Sequence, residues 1–106
     1  MTPAEFRTMA LSFEGAVEGS HMGKADFRVG GKIFATLGYP TAEHGVVMLT
    51  PQDQDLLMRD HPATFTPAAG KWGASGSTNV LLRGASKKAV REALDAAWRK
   101  RAPERR

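Results

Sequence analysis

Apolar positions recur at helical spacing where the chain begins, with Phe6, Met9, Ala10 and Phe13 forming one stripe. Thr2-Pro3-Ala4-Glu5 ahead of that stripe predicts a helix start: Thr2 caps, Pro3 stands where its missing N–H is harmless, and Glu5 completes a capping box. Gly15 is expected to stop the helix. From Asp26 the period changes to two, with Phe27 and Val29 alternating with Asp26 and Arg28. Gly30-Gly31 then supplies a tight hairpin turn, after which Ile33, Ala35 and Leu37 alternate with Lys32, Phe34 and Thr36. Apolar area on both faces of this second strand predicts a central position. After a polar loop from 38 to 45, Val46 to Leu49 predicts a third strand.

Thr50-Pro51-Gln52-Asp53 repeats the cap-then-proline signature and opens a short helix bearing Leu56 and Leu57. His61-Pro62 ends it, because the residue before proline is pushed out of the helical region. A glycine-rich loop follows, then a strand over Asn79 to Arg83, then Gly84 and Ser86 leading into the last helix. There Val90, Ala93, Leu94, Ala97 and Trp98 are expected to face the core, with Lys88-Glu92, Arg91-Asp95 and Asp95-Arg99 four apart on more exposed faces. The predicted order is α-β-β-β-α-β-β-α. It describes an α+β fold, one two-layer domain over residues 1–106 with an antiparallel sheet covered by the N- and C-terminal helices.

At 106 residues the chain holds one hydrophobic core and is too short for two ordinary domains. Cysteine is absent, which excludes a disulfide framework, a Cys-ligated zinc and a thiol nucleophile. The first residues carry Glu5 and Arg7 and break at Glu14-Gly15, unlike a signal peptide. No apolar run approaches the roughly 20 residues that span a bilayer. A cytoplasmic protein with no membrane partner is the expectation, with a monomer favoured. The formal net charge is +4 and it is unevenly placed: residues 1–82 carry six Lys/Arg against eight Asp/Glu, whereas residues 83–106 carry nine against three. A basic tail from about 101, including Arg105 and Arg106, either solubilises the protein or attracts a polyanion.

The most distinctive local feature is the stretch from Phe65 to Gly76, with Lys71-Trp72 at its centre. Trp72 is able to stack on a base. A tryptophan more often folds inward, and the expectation is a clasp that holds Lys71 outward. Gly70, Gly73 and Gly76 do not make a phosphate loop or a dinucleotide fingerprint. His21 and Lys24 flank Met22-Gly23, a segment suited either to an anion or to a structural turn. Arg28 and Lys32 flank the Gly30-Gly31 hairpin, a basic projection that could meet successive phosphates. His21, His44 and His61 show no metal-ligand spacing, Asp53 and Asp55 do not face the same way on a helix, and Ser75 and Ser77 sit in no nucleophile elbow. The residues therefore predict neither an enzyme nor a cofactor.

Read together, Ala10-Leu11-Ser12, Gly15 to Gly19, His21-x-Gly23, Phe27-Arg28-Val29 and Gly31-Lys32-Ile33-Phe34-Ala35 resemble the MmcQ/YjbR family of small bacterial proteins. Pro62-Ala63-Thr64-Phe65, Pro67-Ala68 with Trp72-Gly73, and Ala96-Ala97-Trp98 before Ala102-Pro103 extend the match over essentially the whole chain. Ser77 stands where an aromatic is common in that family, and the segment around Ala25 lacks a frequent proline. The resemblance implies a compact α+β "double wing" fold similar to the frataxin-like architecture, and a DNA-binding label that rests on fold similarity. Carried onto this chain, the wings are the Gly30-Gly31 hairpin and the Lys71-Trp72 loop. Phosphate contacts would then fall to Lys24, Arg28, Lys32, Lys71 and Arg83, with Arg99, Lys100 and Arg101 adding affinity, while His21 and Trp72 contact ligand or organise their loops. A protein-interaction module and a small-anion or metabolite binder remain the alternative readings.

Overall fold

In the computed structural model, which describes residues 1–103, Thr2 caps helix α1 (Pro3–Leu11) through a full capping box: the Glu5 N–H donates to the Thr2 hydroxyl and the Thr2 N–H to the Glu5 carboxylate. Such a cap contributes about 1 kcal/mol. The helix ends earlier than Gly15, because the Ser12 hydroxyl donates to the Met9 carbonyl at 2.6 Å and draws the chain out of the helix. Phe13 keeps its expected core role outside the helix, its ring edge-on to Phe34 and stacked on Trp98.

The sheet has six strands in the order β1-β2-β3-β4-β6-β5, every neighbouring pair antiparallel. Strands β2 (Lys24–Val29), β3 (Lys32–Leu37) and β4 (His44–Met48) follow the period-two segments of the sequence. The turn between β2 and β3 uses Gly30 and Gly31 at φ 58° and 80°, the paired positive values of a tight hairpin. Beyond the sequence-predicted order, the structure adds an edge strand, β1 (Val17–His21), joined to β2 through a turn at Met22-Gly23. Its residues are mostly polar or small, so it carries no apolar alternation to read. Its pairing with β2 makes it a strand.

Thr50 caps α2 (Pro51–Asp60), and His61 ends it. The chain then makes a short edge strand, β5 (Phe65–Pro67), a single helical turn, α3 (Gly70–Ala74), and β6 (Ser77–Leu81), which inserts between β4 and β5. The α3 turn lies inside what the sequence presents as a loop. Helix α4 (Lys87–Arg101), capped by Ser86, lies on β3 and β4 and buries Val90, Ala93, Leu94 and Ala97. Of the expected helix-surface pairs, Asp95–Arg99 closes at 3.0 Å. Trp98 sits at the margin of this core, its indole N–H donating to the Glu14 carbonyl at 2.8 Å.

Between β2 and β3 the register skips one residue, from Phe27 opposite Ala35 to Arg28 opposite Ile33. The extra residue is Phe34, so β3 does not alternate as the sequence suggests: Phe34 and Ala35 are both fully buried in the core under the helices. Ile33 and Thr36 are left on the opposite face. Helices α1, α2 and α4 supply the core that covers one face, and the other face of the sheet stays open.

Candidate functional site

The open face forms a cleft of about 830 Å³. Alternation along each strand decides what lines it. Phe27, Val47, Thr78 and Val80 turn to the core, so Arg28, Val46, Met48, Ser77 and Asn79 turn to the cleft, joined by Ile33 and Thr36 across the bulge. The floor is thus apolar in the middle, with hydroxyl and amide groups toward β6.

One end of the cleft is built by the β2–β3 turn, the end of β4 and the start of β6. Gly31 and Lys32 come from the turn. Trp72 comes from α3, and Arg101 arrives as the C-terminal turn of α4 crosses this end of the sheet. The crossing is anchored on both sides: Lys100 Nζ donates to the Leu49 carbonyl at 2.8 Å, and Pro103 packs on Gly30, leaving no room there for a side chain. Burial pushes the Lys100 ammonium below its ordinary pKa. Arg101 Nε is out of water with no hydrogen-bond partner among the described residues.

Trp72 is 74% exposed, and the expected inward clasp is corrected. The reason is its neighbour. Gly73 is buried, and a Cβ there would stand 1.9 Å from the Ala68 carbonyl oxygen. The inward position of this single turn belongs to the residue with no side chain, and one step back along the helix Trp72 faces out. Beneath it, Gln54 of α2 is buried and its Nε2 donates to the carbonyls of Gly73 at 3.0 Å and Ser77 at 3.2 Å and to the Thr78 hydroxyl at 3.1 Å. The Trp72 turn rests on that buried network. The clasp role falls instead to Trp98.

The other end of the cleft is organised around Asp26, which is fully buried on β2. Arg28 grips it with two bonds, Nε to Oδ1 at 2.8 Å and a terminal nitrogen to Oδ2 at 3.0 Å, and His21 Nδ1 lies 2.8 Å from Oδ2. The Arg28 hydrogen bond, aided by His21, holds the Asp26 carboxyl below its ordinary pKa against the opposing effect of burial. The same contact raises Arg28. Tyr39, followed by a cis bond to Pro40, stacks on the His21 ring with centroids 6.1 Å apart and planes 20° apart. Tyr39 and Pro40 line this end of the cleft.

Of the residues singled out from the sequence, His21, Arg28, Lys32, Trp72 and Arg101 meet on this one cleft. Lys71 is exposed beside Trp72 on α3. Lys24 starts β2 and Arg83 follows β6 at the opposite end of the sheet from Lys32; the Lys24 stem lies against Gly38, and Arg83 pairs with Glu43 at 2.7 Å. Arg99 is paired to Asp95 on the helical layer, and Lys100 is spent on Leu49. Arg105 and Arg106 lie outside the described residues. Sequence reasoning missed Tyr39, Asp26 and the Ile33-Val46-Met48 floor. Asp26 was within reach, since a carboxylate two residues before Arg28 on one strand shares its face.

The described residues gather no group of three or more His, Cys, Asp or Glu able to hold a metal, and none of their helices is long and apolar enough to cross a membrane. His44 is engaged with the Thr41 hydroxyl and His61 with the Phe65 ring, so the three histidines do not converge. The cleft sets cations and an exposed aromatic around an apolar floor. No curated protein matches the chain. The sequence profile of the YjbR family matches residues 11–100, most of the chain, and the protein belongs to the YjbR family.

Proposed function

We propose that the protein is a noncatalytic DNA-binding module that uses the open face of its sheet, acting as one domain with a basic tail from about residue 101. Lys32 and Arg101 supply the phosphate contacts in the cleft, exposed Lys71 on the Trp72 turn adds to them, and the Gly30-Gly31 hairpin and the Trp72 turn form the two walls that frame the strand. The observation that carries this reading is the charge of the cleft lining: Arg28, Lys32 and Arg101 contribute to it and, among the described residues, no carboxylate does, in a chain with 11 Asp and Glu. Asp26 lies beneath and offsets Arg28, which leaves Lys32 and Arg101 as the net charge of the lining. Cations so placed raise the local concentration of a polyanion and release its counterions.

Lys32, Lys71 and Arg101 hold the proposed contact, while Lys24 and Arg83 lie at the far end and Arg99 and Lys100 are occupied within the fold. Binding measured against salt, with Lys32 and Lys71 both changed to Glu, tests the proposal. The double variant should lose DNA affinity and flatten the salt dependence by about one to two phosphate contacts. Unchanged affinity would remove it.

A further inference from the structure

We infer that the cleft takes a nucleotide whose base is unpaired, so that the DNA bound is single-stranded. This rests on the DNA-binding reading above and specifies the form of its ligand.

A duplex presents phosphates on its outside and keeps base faces stacked within, so a surface that meets only a duplex backbone gains from cations and polar donors. This cleft has a different composition. Its middle is the apolar strip of Ile33, Val46 and Met48, and its edge carries Trp72 at 74% exposure. An exposed indole beside a wet apolar floor is costly to leave uncovered, and neither group has anything to gain from phosphate. Both gain from the face of a flat, apolar ring. The cleft volume of about 830 Å³ lies in the range that small organic ligands occupy, about 300–1,000 Å³.

The polar groups are placed to complement such a ring. Ser77 and Asn79 of β6 and Thr36 of β3 border the apolar strip and offer hydroxyl and amide groups to a base edge. Lys32 and Arg101 stand at the Trp72 end, where the phosphate of a stacked nucleotide would fall. Arg101 lines that end of the cleft, and its guanidinium supplies charged donors for that anion. At the opposite end and opposite edge, Tyr39 lies on His21 and provides a second aromatic surface across the floor from Trp72. Two aromatics separated by an apolar strip fit successive unpaired bases of one strand.

A free nucleotide shares this chemistry, so the test carries three probes: a fluorescein-labelled oligo-dT, a duplex of the same length, and dTMP. Each is titrated at low and physiological salt into the full chain and into Trp72→Phe and Trp72→Ala, two variants at an exposed site whose fold circular dichroism checks. The inference expects the single strand to bind at least about tenfold tighter than the duplex, Trp72→Ala to lose about tenfold for the single strand while Trp72→Phe retains most of it, and strand binding to quench the part of the tryptophan emission that Trp72→Phe removes, the remainder coming from Trp98. Duplex binding that depends on Lys32 and Lys71 but is indifferent to Trp72 overturns the inference and leaves the DNA-binding reading standing. dTMP binding as tight as the oligonucleotide overturns it in favour of a free nucleotide. Binding of none of the three overturns both.

Discussion

Gln54 Nε2 donates to the Gly73 carbonyl at 3.0 Å, tying the interior of α2 to the turn that displays Trp72. The same amide nitrogen reaches the Ser77 carbonyl and the Thr78 hydroxyl, and that hydroxyl donates in turn to the Gly76 carbonyl at 2.8 Å. Every neighbour of this nitrogen is an acceptor. Gln54→Glu would set an acceptor-only carboxylate among them, whereas Gln54→Leu removes the donor and leaves the Gly73 and Ser77 carbonyls with only the Gly76 and Ala68 N–H groups. Urea unfolding should show both variants destabilised, by about 1–3 kcal/mol for Leu and by more for Glu. A Glu variant as stable as the parent would contradict the network.

Gly73 itself admits no side chain. A Cβ would overlap the Ala68 carbonyl oxygen, so Gly73→Ala must displace the α3 turn or the end of β5. The expected loss of stability is about 2 kcal/mol or more, accompanied by a shift in Trp72 emission as the turn moves. Trp72→Ala should leave the urea midpoint within about 0.5 kcal/mol of the parent, because the indole packs on little. Destabilisation by that substitution would restore the clasp reading.

Asp26 gives a pH prediction. Its pKa is lowered in the folded state, so its contribution to stability is present in full above the ordinary value of 3.8 and fades as pH falls through the lowered one. Asp26→Asn should therefore be less stable than the parent at pH 7, with the gap closing as pH drops below about 3.8. Glu5, lowered by the Thr2 N–H and by Lys87, is present in both proteins and cancels from the comparison. A gap that stays constant or widens in acid would contradict the Arg28–Asp26 account.

Gly19 faces Asp26 across the β1–β2 ladder, and a Cβ there would stand 2.9 Å from Asp26 Oδ1 and 3.1 Å from Arg28 Nε. Gly19→Ala should push the pair apart and raise the acid sensitivity of the fold, read as a higher pH midpoint of acid unfolding. An unchanged midpoint would show that the pair tolerates the added carbon.

Much of the frame is legible in the sequence, because caps and turns are local. Thr2-Pro3, Thr50-Pro51, Ser86 and Gly30-Gly31 each act within four residues, and each does what its chemistry dictates. What escapes is set by pairing across the sheet. β1 is a strand because β2 lies beside it, and the bulge at Phe34 follows from a register that no single strand encodes. The site divides the same way. Arg28 and Lys32 are visible as the flanks of a turn, but Arg101 reaches the cleft only because α4 crosses the end of the sheet, and Trp72 faces out only because Gly73 must face in.

The central claim is that the open sheet face, rather than overall positive charge, binds DNA. The most direct measurement compares two charge reversals of equal size, Lys32→Glu at the cleft with Lys71→Glu on the Trp72 turn, and Arg59→Glu with Lys88→Glu on exposed positions of the helical layer, by DNA affinity at physiological salt. The account predicts that the cleft pair loses at least about tenfold while the helical pair stays within about threefold of the parent. Equal losses from the two pairs, or no loss from the cleft pair, would contradict it.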